Sequence, residues 1–197
     1  MAIMATRQKQ EISFEVATQE KILLPHLPHR TITWIGGVHG GILADITEQI
    51  QNLLLQDSSE EINLIVTSHG GPTGIGMSFY DSMRSVYKPY LNTIGSGDVD
   101  SSGILIFLAG QKRFITQNTT MLLHLAGRTF ETAKRFTTPD MESMIKEDKM
   151  KDFQYASVIS ERSQGKLTVT EVLDLMARNT VLTPSDAVDM GLAHAII

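Results

Sequence analysis

The chain has 197 residues, 42% of them hydrophobic, with 22 acidic against 17 basic side chains and a formal net charge of −5. That length suffices for one domain with a substantial core, and the acidic balance, without a Lys/Arg-rich run, removes the electrostatic case for a nucleic-acid partner. The absence of cysteine excludes disulfides, thiolate metal sites and a cysteine nucleophile and fits a reducing compartment.

Residues 1–29 combine a short alternating stretch, EISFEV, with the two prolines of LLPHLPHR, which predicts an N-terminal arm or loop segment rather than a regular element. No basic-then-apolar leader is present and no apolar run is long enough to span a bilayer, so a cytoplasmic protein with no membrane partner is expected. His26 and His29 form His-x-x-His, but Pro28 between them prevents a helical pair and no third ligand is in view, so no metal is expected.

The stretch TITWIGGV (Thr31 to Val38) has the β-branched and aromatic content of a strand, ended by Gly36 and Gly37. Ile42, Leu43, Ile46, Ile50, Leu53 and Leu54 then recur at three- and four-residue intervals, on one face of a helix. INLIV (Ile62 to Val66) is an apolar run of the kind buried in a parallel sheet. A glycine-rich turn, TSHGGPTGIG, precedes a helix in which Met77, Tyr80, Met83 and Val86 share a face. This alternation predicts right-handed crossovers and an α/β layer structure.

The run from Ile104 to Leu108 is compatible with a strand or a buried helix. KRFIT and TTMLLHL read as two short strands joined at Gln117 and Asn118. Thr138 as N-cap and Pro139 as first residue predict a long helix to about residue 164, with Gly165 beyond its end. Its charged early part and its later Phe153, Tyr155, Val158 and Ile159 leave two readings open, an amphipathic helix packed on its own domain or an arm projecting toward another subunit. Thr168 with Glu171, and Thr183 with Pro184 and Asp186, signal two further helix starts, and Gly191 closes the last helix.

A serine hydroxyl is a poor nucleophile at neutral pH and needs a base, a group orienting the base, and donors for the oxyanion. Ser101 lies where the polar turn GSGDVDSSG meets the run from Ile104; were that run a helix, free N–H groups would face the reacting carbonyl and Ser102 would contribute its amide. Gly71, after the INLIV strand, can present a second N–H without a Cβ in the way. His124 ends the apolar run MLLHL and is the candidate base. These residues alone leave a hydrolase and a non-catalytic α/β domain both open.

Their order along the chain, from about Arg30 to the C-terminus, resembles the proteolytic subunit of the Clp protease, the ClpP family. SHGGPTGIGMSFYDSM is similar to the family's Ser-Pro-Gly-Gly turn and following helix, with His69 in place of proline, and GSGDVDSSG resembles its Gly-x-Ala-Ala-Ser-Met-Gly nucleophile motif. KRFITQNTTMLLH matches the segment ending in the catalytic histidine, and LTPSDAVDMGL resembles the family's C-terminal helix. The resemblance implies a ClpP/crotonase-type α/β fold over 30–197 with a projecting strand-helix handle, its helix at about 138–164, and residues 1–29 as an axial-loop arm. It assigns Ser101 as nucleophile, His124 as general base, and the Gly71 and Ser102 amides as the oxyanion hole. It further implies hydrolysis of unfolded proteins or peptides inside stacked heptameric rings fed by an ATP-driven unfoldase. No P-loop sequence is present, so ATP chemistry falls to that partner and no cofactor is expected.

Three departures stand out. Asn179 occupies the position of the family's catalytic aspartate; it can accept a hydrogen bond from the imidazole but cannot stabilise imidazolium by charge, with Asp174, Asp186 or Asp189 as possible substitutes. Val99 and Asp100 replace paired alanines, and a carboxylate there opposes the oxyanion unless it points away. Leu125 to Gly127 replace the usual Gln-Pro. The alternatives are therefore a catalytically impaired ring subunit, or a crotonase-type acyl-CoA enzyme on the same fold, which would need neither Ser101 nor His124.

Overall fold

The computed structural model describes residues 27–130 and 135–197, so most of the predicted arm, residues 1–26, lies outside the described residues. A short 3-10 turn, Pro28–Arg30, leads into β1 (Thr31–Ile35), α1 (Gly40–Gln56) and β2 (Ile62–Ser68). α1 buries Leu43, Ile46, Ile50 and Leu53, the face its spacing predicts. β3 (Leu91–Val99), β4 (Lys112–Ile115) and β7 (Ala195–Ile196) complete a five-stranded sheet in the order β1-β2-β3-β4-β7, parallel throughout. Parallel neighbours need crossovers, and α1, α2 (Thr73–Asp81) and α3 (Gly103–Leu108) supply the first three.

α2 does not run straight to Val86. It widens into a π turn over Ser82–Tyr87 that ends at left-handed Lys88, and the change of pitch takes Val86 off the apolar face, leaving it 70% exposed. The ambiguous run from Ile104 is the helix α3. All its residues are buried, so it carries no polar face from which a helical period could be read.

The far end of β3 reaches past its own sheet through a bridge from Asp98 to Thr120. The strand's first half, Asn92 to Gly95, pairs with β4, while its far end departs after a register break opposite Val66 and Ser68. There Val99 N–H donates to Thr120 O at 2.9 Å and Ser101 N–H to Leu122 O at 2.8 Å. β5 (Met121–Leu123) in turn pairs antiparallel with β6 (Thr180–Leu182). The turn that carries Ser101, His124 and the segment around Asn179 are thereby gathered at one end of the sheet.

The handle helix α4 spans Thr138–Arg162. Its cap is Thr137, not Thr138: the Thr137 side chain accepts from the Asp140 N–H while the Asp140 carboxylate accepts from the Thr137 N–H. The box needs an acid at the third helical position, which Asp140 provides for Thr137 and Met141 cannot provide for Thr138. The helix also ends earlier than expected, with Gln164 and Gly165 at φ of 58° and 80°. Its C-terminal half buries Tyr155, Ala156, Val158 and Ile159, as packing on its own domain requires, whereas Met141, Ile145, Met150 and Phe153 remain exposed. α5 (Val169–Ala177) and α6 (Pro184–Asp189) start on the expected boxes at Thr168 and Thr183. No described helix is long and apolar enough to cross a membrane.

Candidate active site

Four chain segments converge on Ser101. β2 ends at Ser68, and the turn that follows brings Gly70 so close to Ser101 that a Cβ there would stand 2.5 Å from the Ser101 Cβ and 3.0 Å from the Asp100 carbonyl oxygen; Gly70 also has φ of 90°. Only glycine fits. At Gly71 a Cβ would overlap the Val38 carbonyl. Ser101 itself takes φ of 53°, a left-handed conformation that costs a non-glycine residue about 1–2 kcal/mol and is sustained by the bonds around it.

Among the described residues, neither the Gly71 nor the Ser102 amide N–H has a protein acceptor. The two are linked by the Ser102 hydroxyl, which donates to Gly71 O at 2.8 Å. Asp100 points away from this pair: its Oδ1 accepts the Leu122 N–H at 2.8 Å, and its own N–H donates to Ser68 O. Burial pushes the Asp100 carboxyl above its ordinary value, helped by Asp98 and opposed by the Leu122 N–H, His124 and His69.

His124 lies one residue past β5. Its Nδ1 is 2.7 Å from Leu125 O; a carbonyl can only accept, so Nδ1 carries the proton and Nε2 is left as the acceptor. Ser101 and His124 line the same cavity of about 340 Å³, together with Gly71, Pro72, Thr73, Ala126, Gly127, Arg128, Asp148 and Lys151. No hydrogen bond joins the Ser101 hydroxyl to His124 among the described residues. The β5–β6 register pairs Leu123 with Thr180, so its next position sets His124 opposite Asn179. Asn179 has φ of 51°, is exposed, and lines neither this cavity nor the smaller one beneath it.

Asp174, Asp186 and Asp189 line neither cavity, and Asp186 is committed to the Thr183 cap. The acids nearest the reaction cavity come instead from α4. Asp152 Oδ1 accepts the Ala126 N–H at 2.7 Å, and Asp148 with Glu147 grips Arg128. Lys151 pairs with Glu147 at 2.6 Å; that contact and Arg128 hold the Glu147 carboxyl down at about 2. These pairs fasten the segment after His124 to the handle. Asp148, Asp152 and Tyr155 recur at four- and three-residue intervals, a shared helix face visible in the sequence but without a target there. Among the described residues no His/Cys/Asp/Glu group could hold a metal, and His26 lies outside them.

A sequence-family profile described as Clp protease matches residues 16–197. The chain belongs to the Clp protease family. Among solved structures, an Asn-to-Asp mutant of ClpP1 from Listeria monocytogenes superposes with a TM-score of 0.74 at 25% identity, over 86% of this chain and 92% of that one. The α/β fold is thus that of a ClpP subunit, and family and fold together support a ClpP-like peptidase. In this Clp protease subunit a larger groove, about 700 Å³, lies elsewhere, along the exposed face of α4.

Proposed function

We propose that the chain is a serine endopeptidase subunit that cleaves unfolded polypeptides inside a chamber of stacked heptameric rings, supplied by an ATP-driven unfoldase. The observation that supports this reading is the cavity that Ser101, His124 and Gly71 line together, with the Gly71 and Ser102 amides both unengaged. Ser101 Oγ attacks the scissile carbonyl as its proton passes to His124 Nε2. The tetrahedral oxyanion takes hydrogen bonds from the Gly71 and Ser102 N–H groups. The C–N bond then breaks, the proton moves from Nε2 to the departing amine, and water releases the acyl group by the same steps.

Asn179 is the proposed orienting partner. Extending the β5–β6 register by one position past Leu123 and Thr180 brings it nearest His124, and it would take up Nδ1 once the ring leaves the Leu125 carbonyl; unliganded catalytic contacts commonly tighten only with substrate. A neutral amide gives no charge to imidazolium, so turnover slower than that of an aspartate site is expected. A second reading, a catalytically impaired ring subunit, is favoured by the Nδ1 contact to Leu125 O.

Fluorophosphonate labelling with peptide mapping separates the two. Rapid modification at Ser101, abolished in Ser101→Ala, is expected, and Asn179→Asp should accelerate it by about tenfold or more. An unmodified Ser101 beside a reactive control protease would overturn the catalytic reading.

A further inference from the structure

Tyr155 lies on the buried side of the handle helix α4, 4% exposed, and its hydroxyl donates to the Ser101 carbonyl at 2.8 Å. That carbonyl also accepts the Ile104 N–H at 3.0 Å. The Ser101 carbonyl and the Ser102 N–H are two edges of one peptide unit, which is planar and trans, so they point in opposite directions and cannot turn independently. We propose that Tyr155 is a positioning residue for the oxyanion hole, fixing the Ser101 carbonyl and thereby the direction of the Ser102 N–H.

The partner donor is held in the same way. Gly71 N–H shares its peptide unit with Gly70 O, which accepts the Val38 N–H at 2.8 Å, and the Ser102 hydroxyl donates to Gly71 O in the next peptide unit along, which joins the two residues. Each donor therefore has its peptide plane set from behind, one from the turn after β1 and one from α4. Burial and the nearby Asp100 charge hold Tyr155 ionisation far above the ordinary tyrosine value, so the hydroxyl stays a donor throughout the working pH range. Without it, a left-handed Ser101 would be restrained on this side only by the turn bond to Ile104.

The inference rests on the peptidase reading, and the test keeps the two apart. Tyr155→Phe removes the donor and keeps the ring. With a fluorogenic peptide, kcat should fall about tenfold to a hundredfold, less than the loss of a whole oxyanion donor, with KM held within about twofold. Affinity for a peptide boronate, whose tetrahedral adduct places an oxygen in the hole, should fall by the same factor as kcat/KM, while binding of a cleaved product peptide stays unchanged. Para-aminophenylalanine at 155, which retains a donor, should restore most of the rate. If the Phe variant fails to fold, para-fluorophenylalanine against para-aminophenylalanine gives the same comparison. A folded, donor-free variant with wild-type kcat, or one that loses boronate and product binding equally, overturns the inference and leaves the peptidase reading standing. A wild-type chain that neither labels at Ser101 nor cleaves removes both.

Discussion

Asp100 shows how a side chain that looks harmful in the sequence is accommodated. A carboxylate next to the nucleophile would oppose the oxyanion, but here it turns to the Leu122 N–H and pins β5, and so His124, to the nucleophile turn. Folding raises its pKa, burial being the largest cause, so the native state binds the proton more tightly than the unfolded chain does. The associated stability is present below the ordinary carboxylate value of 3.8 and is lost as pH rises through the folded value. Asn at this position keeps an oxygen for Leu122 and cannot ionise. Asp100→Asn should therefore match the wild type in Tm in acid and exceed it increasingly as pH rises through that window. A difference of the same size at every pH, followed by thermal unfolding, would show that the charge is not what costs stability. Ser101, Ser102, Gly71 and His124 were legible as candidates from motif order because each lies in a short local pattern. Tyr155 was not, since nothing local says that a helix more than fifty positions downstream passes behind the nucleophile.

At the scale of elements, legibility followed whether a segment's neighbours are local. α1 and the starts of α5 and α6 carry their period and caps within a few residues, and all three form where expected. β3 reads LNTIGSGDV, with neither alternation nor a continuous apolar run, because its first half pairs with β4 while its far end leaves β4 and bridges to Thr120. Helix C-termini were less legible still, since their satisfaction comes from far away. Arg113, buried on β4, donates to Gly110 O after α3, to Arg162 O at the end of α4, and to Gly191 O and Leu192 O after α6. One guanidinium thus serves carbonyls at the ends of three helices, sharing Gly110 O with Arg162, which donates to it at 2.8 Å. Burial, then the neighbouring Arg162 and Arg84, lower its hold on the proton, a sign of how much desolvation these bonds offset. Arg113→Met fills part of the space but leaves the Arg162, Gly191 and Leu192 carbonyls unpaired. At about 1–3 kcal/mol for each buried orphan, a loss of at least about 3 kcal/mol is expected, or roughly 6–12 °C in Tm for a chain of this size. A shift under about 2 °C would mean that water replaces the guanidinium at those carbonyls.

For the whole molecule, the decisive surface is the outer face of the handle. Met141 and Ile145 are four residues apart and Met150 and Phe153 three, and all four are about half exposed, with Ile145, Met150 and Phe153 lining the 700 Å³ groove. Side chains of this size gain about 1.5–3 kcal/mol each on full burial, and a contiguous apolar face marks an interaction surface more often than it serves a monomer. In the stacked rings proposed above, the contact is repeated at every subunit, so a modest gain per handle sums to a large one for the assembly. The same repetition makes it fragile: a carboxylate in place of an apolar side chain removes buried apolar area and must be desolvated at every copy. Ile145→Glu combined with Phe153→Glu should therefore reduce the particle in sedimentation velocity from a ring pair to single rings or smaller. Because both side chains are already exposed in the subunit, the far-UV spectrum should not change. Peptidase activity should fall with the loss of the pair, since α4 carries Tyr155 and the acids that fasten the segment after His124. If the double variant sediments as the wild type does, the apolar face is not the stacking contact, and the handle's influence on catalysis would have to be exerted within one subunit alone.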